Sequence, residues 1–362
     1  MNLLFITRRI ESVHPLAGFA ASWVKEFAQQ LSADGGRLDV ITWQEGSAEG
    51  LSENVKVYAS HGMREIGRIR HTRLIRLIRF IGLMVRLVPK SDVVFAHQHP
   101  IYAIIAAPFA KFFRKRLYLW YVHKHVDLKL RIATALCDGI VTASKESFRL
   151  KAHTPVSVVG HGIDTGYFKP AEDSSASIEF KIISVGRISP VKGHETLIDA
   201  MQIINRRSPH ATLTIIGGPG LPAHQAYFEE LQRLVREKGL AGVIEFAGPR
   251  AHADVVSVYQ GADAFVNVSD TGSMDKAVLE ACACGVPVVT SNEAFKEFLG
   301  AVDSHLYTEK RPAAVAAALE RIIAMPLAAR HQLGGILRAA VVRDHDLKRL
   351  VAKVLDVIQG DL

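Results

Sequence analysis

The sequence predicts an α/β protein of two doubly wound, Rossmann-like domains, and three observations carry that prediction. The chain opens on an apolar strand, Asn2 to Thr7, then a polar loop, then a helical pattern from about Phe19 to Leu31 with Trp23, Phe27 and Leu31 at spacing four. Strand, loop and helix in that order begin a doubly wound parallel sheet. The alternation restarts at Lys181 to Met201, after a small polar stretch from Ala171 to Ser177. With 362 residues, 49% hydrophobic and 22% charged, the composition is that of a globular protein long enough for two cores.

Within the first half, Leu38–Trp43 and Val55–Ser60 read as further strands. Ser91–Pro100 is a strand tipped by His97, Gln98 and His99; Leu117–Asp127 repeats that form and delivers His123, Lys124 and His125. Strand ends in this fold face the ligand crevice, and histidine titrates near neutral pH. The two histidine pairs lie on separate strands and fit no metal-ligand spacing, so no metal is expected. Gly139–Thr142 is another strand, with a short helix expected to open at Ser144. The loop after the first strand holds Gly18 but no Gly-x-Gly-x-x-Gly, which disfavours a dinucleotide oxidoreductase.

The net charge of +8 is concentrated in residues 61–90, where Arg64, Arg68, Arg70, Arg73, Arg76, Arg79, Arg86 and Lys90 face Glu65 alone. Ile66, Ile69, Leu74, Leu77, Ile78, Ile81 and Leu83 recur there at roughly helical spacing. Two readings fit: a solvated helix face, or a cationic amphipathic surface that leans on anionic lipid. Nucleic acid is not expected, because no aromatic residues interleave the cations. Cys137, Cys282 and Cys284 each sit in an apolar run and read as buried reduced thiols. The chain opens on a strand rather than a signal peptide, and no uncharged apolar run reaches membrane-spanning length. The expected location is cytoplasmic, at most peripheral to a membrane.

The second half carries the chemistry. Arg187 and Lys192 flank Pro190 on a loop that ends at Gly193, just before a helix. Two cations facing a helix N-terminus suit a diphosphate, since arginine binds two oxygens at once and lysine adds a point charge. Ala211–Gly220 is a strand with a glycine turn, Tyr227–Lys238 an amphipathic helix, and Val243–Arg250 another strand. Ala264–Val268 then leads into the loop Thr271, Gly272, Ser273, and a helix follows from about Lys276 to a stop at Gly285. That order puts Ser273, Asp275 and Lys276 near a helix N-terminus, with Glu280 about one turn further in.

This stretch, Thr271 to Val289, resembles the donor segment of family 4 glycosyltransferases of the GT-B fold, which runs Glu, seven residues, Glu, then Ala-x-Ala-x-Gly-x-Pro-Val-Val. Glu280 matches the second glutamate, whose role in that family implies a hold on the ribose of a nucleotide sugar. The first glutamate falls at Gly272, a departure shared by a subgroup with a Thr-Gly-Ser-x-Asp-Lys loop; its contact with the donor sugar would then be lost or pass to Asp275 and Lys276. The resemblance extends to Arg187 and Lys192 as the diphosphate clamp, with Ser273 and Gly18 beside the phosphates. It also covers the Gly248, Pro249, Arg250 turn as the base-binding corner. His123, with His125 as runner-up, matches a histidine that contacts the donor sugar or orients the acceptor. Val156–Pro170 is similar to the family's hinge-side segment through Gly162, Asp164, Phe168 and Pro170, with His161 replacing an asparagine.

The resemblance implies two Rossmann-like domains facing across a cleft, at 1–169 and 179–340, joined by a linker at 170–178. A helix within 341–362 would pack back toward the first domain. It implies transfer of a sugar from a UDP- or GDP-sugar to a hydroxyl of a glycan or lipid-linked acceptor, with retention and without cofactor or metal. The Asp344-His345-Asp346 triplet has the bare Asp-x-Asp spacing of metal-dependent transferases but lies away from any strand. A nucleotide-sugar epimerase and a non-catalytic donor-binding homologue are the alternatives.

Overall fold

The computed structural model describes residues 1–10, 18–44, 50–60, 73–172 and 179–360. They form two units: Met1–Gly162 with Leu347–Leu362, and Ile163–Asp346. Ile163, the first residue of the second unit, donates its N–H to the His345 carbonyl at 2.8 Å. Of the linker expected at 170–178, residues 173–178 lie outside the described residues, as do residues 61–72 of the basic segment.

Unit 1 contains β1 (Asn2–Thr7), α1 (Gly18–Ala33), β2 (Arg37–Thr42), β3 (Val55–Ala59) and α2 (Arg73–Leu87). It continues with β4 (Val93–His97), α3 (Pro100–Phe112), β5 (Arg116–Trp120), α4 (Leu128–Leu136), β6 (Gly139–Thr142) and β7 (Val156–Val158). The strands pair in parallel in the order β3-β2-β1-β4-β5-β6-β7. Continuous apolar runs such as Leu3–Ile6 and Val93–Ala96 are buried, as a sheet covered on both faces requires. The C-terminal helix, Leu347–Gln359, packs on α1 through an apolar face of Leu347, Leu350, Val351, Val354 and Ile358. Gln30 donates to the Lys348 carbonyl at 2.8 Å, and Arg116 to that of Gln359 at 3.0 Å. Gly162 fits this contact because a Cβ there would lie 2.7 Å from Leu347 Cδ1 and 2.8 Å from Leu350 Cδ2. The helix expected at Ser144 is instead a turn, closed by the Ser147 N–H donating to Ser144 Oγ at 3.2 Å.

Unit 2 runs β8 (Phe180–Val185), α5 (His194–Arg207), β9 (Ala211–Ile216), α6 (Gln225–Glu237), β10 (Ile244–Gly248), α7 (His252–Gln260) and β11 (Ala264–Asn267). Then come α8 (Lys276–Ala283), β12 (Val288–Thr290), α9 (Lys296–Gly300), α10 (Pro312–Ile323) and α11 (Leu327–Asp344); the C-terminal helix is α12. Its parallel sheet has the order β10-β9-β8-β11-β12. In both sheets the strand order reverses beside the first strand, between β1 and β4 and between β8 and β11. Loops that leave opposite ways from neighbouring strands open a crevice at their carboxyl ends. Below it, Arg338 on α11 donates to the carbonyls of Phe168 (2.9 Å), Thr165 (3.2 Å) and Ala283, tying the end of α8 to the start of the unit. Among the described residues no single helix is long and apolar enough to cross a membrane.

Candidate functional site

In unit 2 the loops after β8 and β11 meet at the reversal point. The first turns tightly through Pro190–Lys192 and ends on Gly193, which takes the left-handed region at φ 63° and caps α5. A side chain there would strike Val268 O at 2.8 Å, so glycine lets this loop lie directly against the end of β11. The loops are stitched together by the Asp270 N–H, which donates to Val191 O at 3.0 Å, and by an ion pair between Lys310 and Asp270.

Lys192 Nζ then reaches Asp275 Oδ1 at 2.8 Å, both side chains being largely buried. The other oxygen, Oδ2, accepts from Ser269 Oγ at 2.5 Å and from Asn267 Nδ2 at 3.2 Å. Asn292 Nδ2 donates to Ser273 O at 2.8 Å, and Asn267 Oδ1 accepts from Thr290 Oγ1 at 3.2 Å. The carboxylate at the head of α8 is thus fixed by polar residues that finish β11 and β12. Sequence reasoning missed Asn267, Ser269, Thr290 and Asn292; a polar residue closing a buried apolar strand was the available signal.

Lys276 opens α8, and desolvation lowers its ammonium to about 8 against the opposing pull of Glu280. Glu280 accepts from the hydroxyl of the fully buried Tyr259 at 2.8 Å, which together with burial holds the phenol well above its usual range. Gly272 is buried with φ 61°, a left-handed conformation that glutamate rarely adopts, so the departure at this position follows from the loop's own backbone. His194, the first residue of α5, is buried, and desolvation followed by the charge of Lys192 lowers it to about 4.

Arg187 is exposed on the same crevice loop, its side chain running against Gly220. Ile188 donates to Gly218 O at 2.9 Å, and Gly217 donates to Gly248 O at 2.9 Å, so the turns after β8, β9 and β10 form one row. Gly248, at φ 72°, brings Pro249 within reach of Gly218, with Arg250 exposed beyond it. Unit 2 therefore brings together Arg187, Lys192, Ser273, Asp275, Lys276, Glu280 and the 248–250 turn along the carboxyl edge of its sheet.

Unit 1 places the others. Gly18 is the first residue of α1. His123 and His125 are exposed after β5, and the His123 ring lies 5.5 Å from that of Tyr121. His97 does not face a crevice: it is buried among Phe5 (5.2 Å) and Trp23 (5.2 Å), with Nδ1 3.3 Å from Thr7 Oγ1. It joins the aromatic core because Trp23 of α1 lies against the end of β4. His99 is lowered by burial, with further contributions from Arg8 and His123. Among the described residues no three His, Cys, Asp or Glu side chains converge to hold a metal ion. The three cysteines are free and buried.

Residues 179–325 match the family model of glycosyl transferases, group 1. The D-inositol 3-phosphate glycosyltransferase of Actinosynnema mirum is 32% identical over 147 residues, 38% of this chain and 35% of that protein. The same enzyme of Frankia alni is 29% identical over 202 residues, 51% and 49% of the two chains. This chain thus spans between a third and a half of the length of these curated relatives. Solved structures extend the likeness to the whole chain. Anabaena Alr3699/HepE, in complex with UDP and glucose, has a TM-score of 0.74 at 18% identity, covering 99% of this chain and 100% of that one. A Rickettsia africae glycosyltransferase reaches 0.78 at 13% identity, covering 99% and 98%. The fold is GT-B. Both Rossmann-like sheets of that fold are present, and the family match falls on the unit that carries the crevice loops.

Proposed function

We propose that this protein transfers a sugar from a nucleotide-diphosphate sugar to a hydroxyl acceptor. The observation that carries this reading is the row of turns at the carboxyl edge of the unit 2 sheet, where Arg187 and Lys192 precede the start of α5 and glycines let the turns pack closely on one another. Such a row suits two linked phosphoryl groups, met by backbone N–H groups, a helix dipole and two cations. The similarity of residues 179–325 to group 1 glycosyltransferases and the UDP and glucose held by the Anabaena protein support it.

In this reading Arg187 and Lys192, with Ser273, hold the diphosphate. Glu280 takes the ribose hydroxyls, and the Gly248–Arg250 turn meets the base. As the glycosidic bond lengthens, negative charge accumulates on the departing diphosphate, and fixed cations stabilise it without reorganising. Asp275, fixed by Lys192, Ser269 and Asn267 among its neighbours, and Lys276 orient the sugar. The reaction retains configuration and uses no metal; the donor is a UDP- or GDP-sugar and the acceptor a glycan or lipid-linked hydroxyl. Gly272 favours a second reading, a homologue that binds donor nucleotide without turning it over.

The test is calorimetric titration with UDP, GDP and ADP, followed by product analysis with the matching sugar nucleotides. Binding of one nucleotide that is lost in the Arg187→Ala, Lys192→Ala double variant supports the clamp. Wild-type binding in that variant overturns it. Donor binding without transfer to any acceptor selects the second reading.

A further inference from the structure

Helix α2 is apolar on two faces. One face buries Phe80, Met84 and Leu87 against the unit 1 core. The other presents Leu74, Ile78, Ile81 and Val85, which are 64%, 60%, 37% and 52% exposed. Their spacing of four, three and four residues aligns them as one stripe along the helix. Scattered exposed apolar side chains are ordinary, but four large aliphatic ones in line are not. Arg79 and Arg86 are exposed along one side of the stripe, and Lys90 follows just beyond the helix. Arg86 is steadied over the Tyr58 ring at 5.9 Å. Between Glu65 and Asp92 the sequence holds no carboxylate at all.

We propose that this face of α2 seats the protein on an anionic lipid surface, the helix lying in the plane of the interface. An anionic bilayer supplies both complements at once: acyl chains for the stripe and headgroup charge for the arginines. A second copy of the chain would press like-charged rows together across a two-fold contact. Nucleic acid would leave the aliphatic stripe in water. With 15 residues, the helix lies on the membrane and does not span it. The proposal stands independently of the transfer reading, because it rests on unit 1 side chains that take no part in the crevice.

The experiment is co-sedimentation of the full chain with vesicles of phosphatidylcholine, alone or mixed with phosphatidylglycerol, at low and high salt. The expected result is binding to the mixed vesicles only, weakened by salt. The Arg79→Gln, Arg86→Gln variant should lose about thirtyfold in partitioning, from about 1 kcal/mol for each cation. The Leu74→Ser, Ile78→Ser, Val85→Ser variant should lose about a hundredfold or more. All five positions are exposed, and an unchanged thermal unfolding midpoint checks that the fold is kept. Equal binding to neutral and anionic vesicles, or binding indifferent to both variants, overturns the proposal. Self-association abolished by the serine variant, without vesicle binding, overturns it in favour of a second copy as the occupant.

Discussion

Lys192 and Asp275 are joined at 2.8 Å across the point where the strand order of the unit 2 sheet reverses. The lysine ends the turn before α5, and the aspartate stands immediately ahead of α8. The two charges are paired with each other, so the field of the cation is partly neutralised inside the protein. Both side chains are largely shielded from solvent, which strengthens the coupling beyond that of a surface pair.

Replacing Asp275 by Asn keeps an acceptor for Ser269 and releases the charge of Lys192. In the proposed reading, affinity for a nucleoside diphosphate should rise by about three- to tenfold, the effect of one partly shielded charge. If the proposed transfer reading holds, sugar transfer should fall by at least about tenfold, because the side chain at 275 loses its ion pair with Lys192 and with it a fixed orientation. Titration calorimetry and initial rates measured together check this. Unchanged affinity would show that the ion pair does not modulate the crevice.

The lowered Lys276 ammonium, near 8, predicts a pH dependence of nucleotide binding. Below that value the side chain is charged and, in the proposed reading, adds a cation beside the bound sugar nucleotide; above it the charge is lost. Affinity should therefore be flat at neutral pH and decline by about tenfold as pH rises past 8. A Lys276→Met variant should bind more weakly at neutral pH and lack the decline. A profile with the same slope in both proteins would place the titrating group elsewhere.

His194 predicts acid sensitivity of unit 2. Its folded value is about 4 against an ordinary 6.5. Between those values the unfolded chain binds the proton and the folded one does not, so stability is complete above 6.5 and falls as pH drops toward 4. The loss amounts to about 3 kcal/mol. Urea unfolding at neutral and mildly acid pH should show it, and His194→Phe should flatten that dependence. An equal acid loss in the variant would rule out this histidine as its source.

At Gly272, φ is 61° in a buried loop. Glutamate there should destabilise the protein by about 1–2 kcal/mol and lower the melting midpoint by a few degrees. Gly272→Asn, which tolerates the left-handed region better, should cost less. A glutamate variant as stable as the parent would mean that the loop relaxes freely, and the explanation of the departure would fail.

Strands were the most legible part of the sequence, because runs such as Asn2–Thr7 and Ala264–Val268 are buried on both faces and carry no competing pattern. Helices with a polar side, α1 and α6, were legible for the same reason in reverse. Two others were not. α3 is apolar nearly throughout and contains Pro108, and α11 carries the adjacent Gly334 and Gly335, so neither displays a clear stripe. The positions of Arg187, Lys192 and Ser273 on loops after strands were readable, because each loop follows a buried apolar run. Their mutual contacts were not: Asn267 and Asn292 stand on different strands, and only the sheet makes them neighbours of Asp275. His97 was misread because nothing in its local sequence tells that Trp23 covers it.

The return of α12 to α1 sets an order on assembly during synthesis. Residues 163–346 are complete, strands and helices alike, before the last stretch leaves the ribosome. The earlier-made α1 must wait for Leu350, Val354 and Ile358 to cover it. Unit 2 is contiguous in sequence, whereas unit 1 needs a segment that follows unit 2 to cover α1, so the contacts of unit 1 close a longer loop.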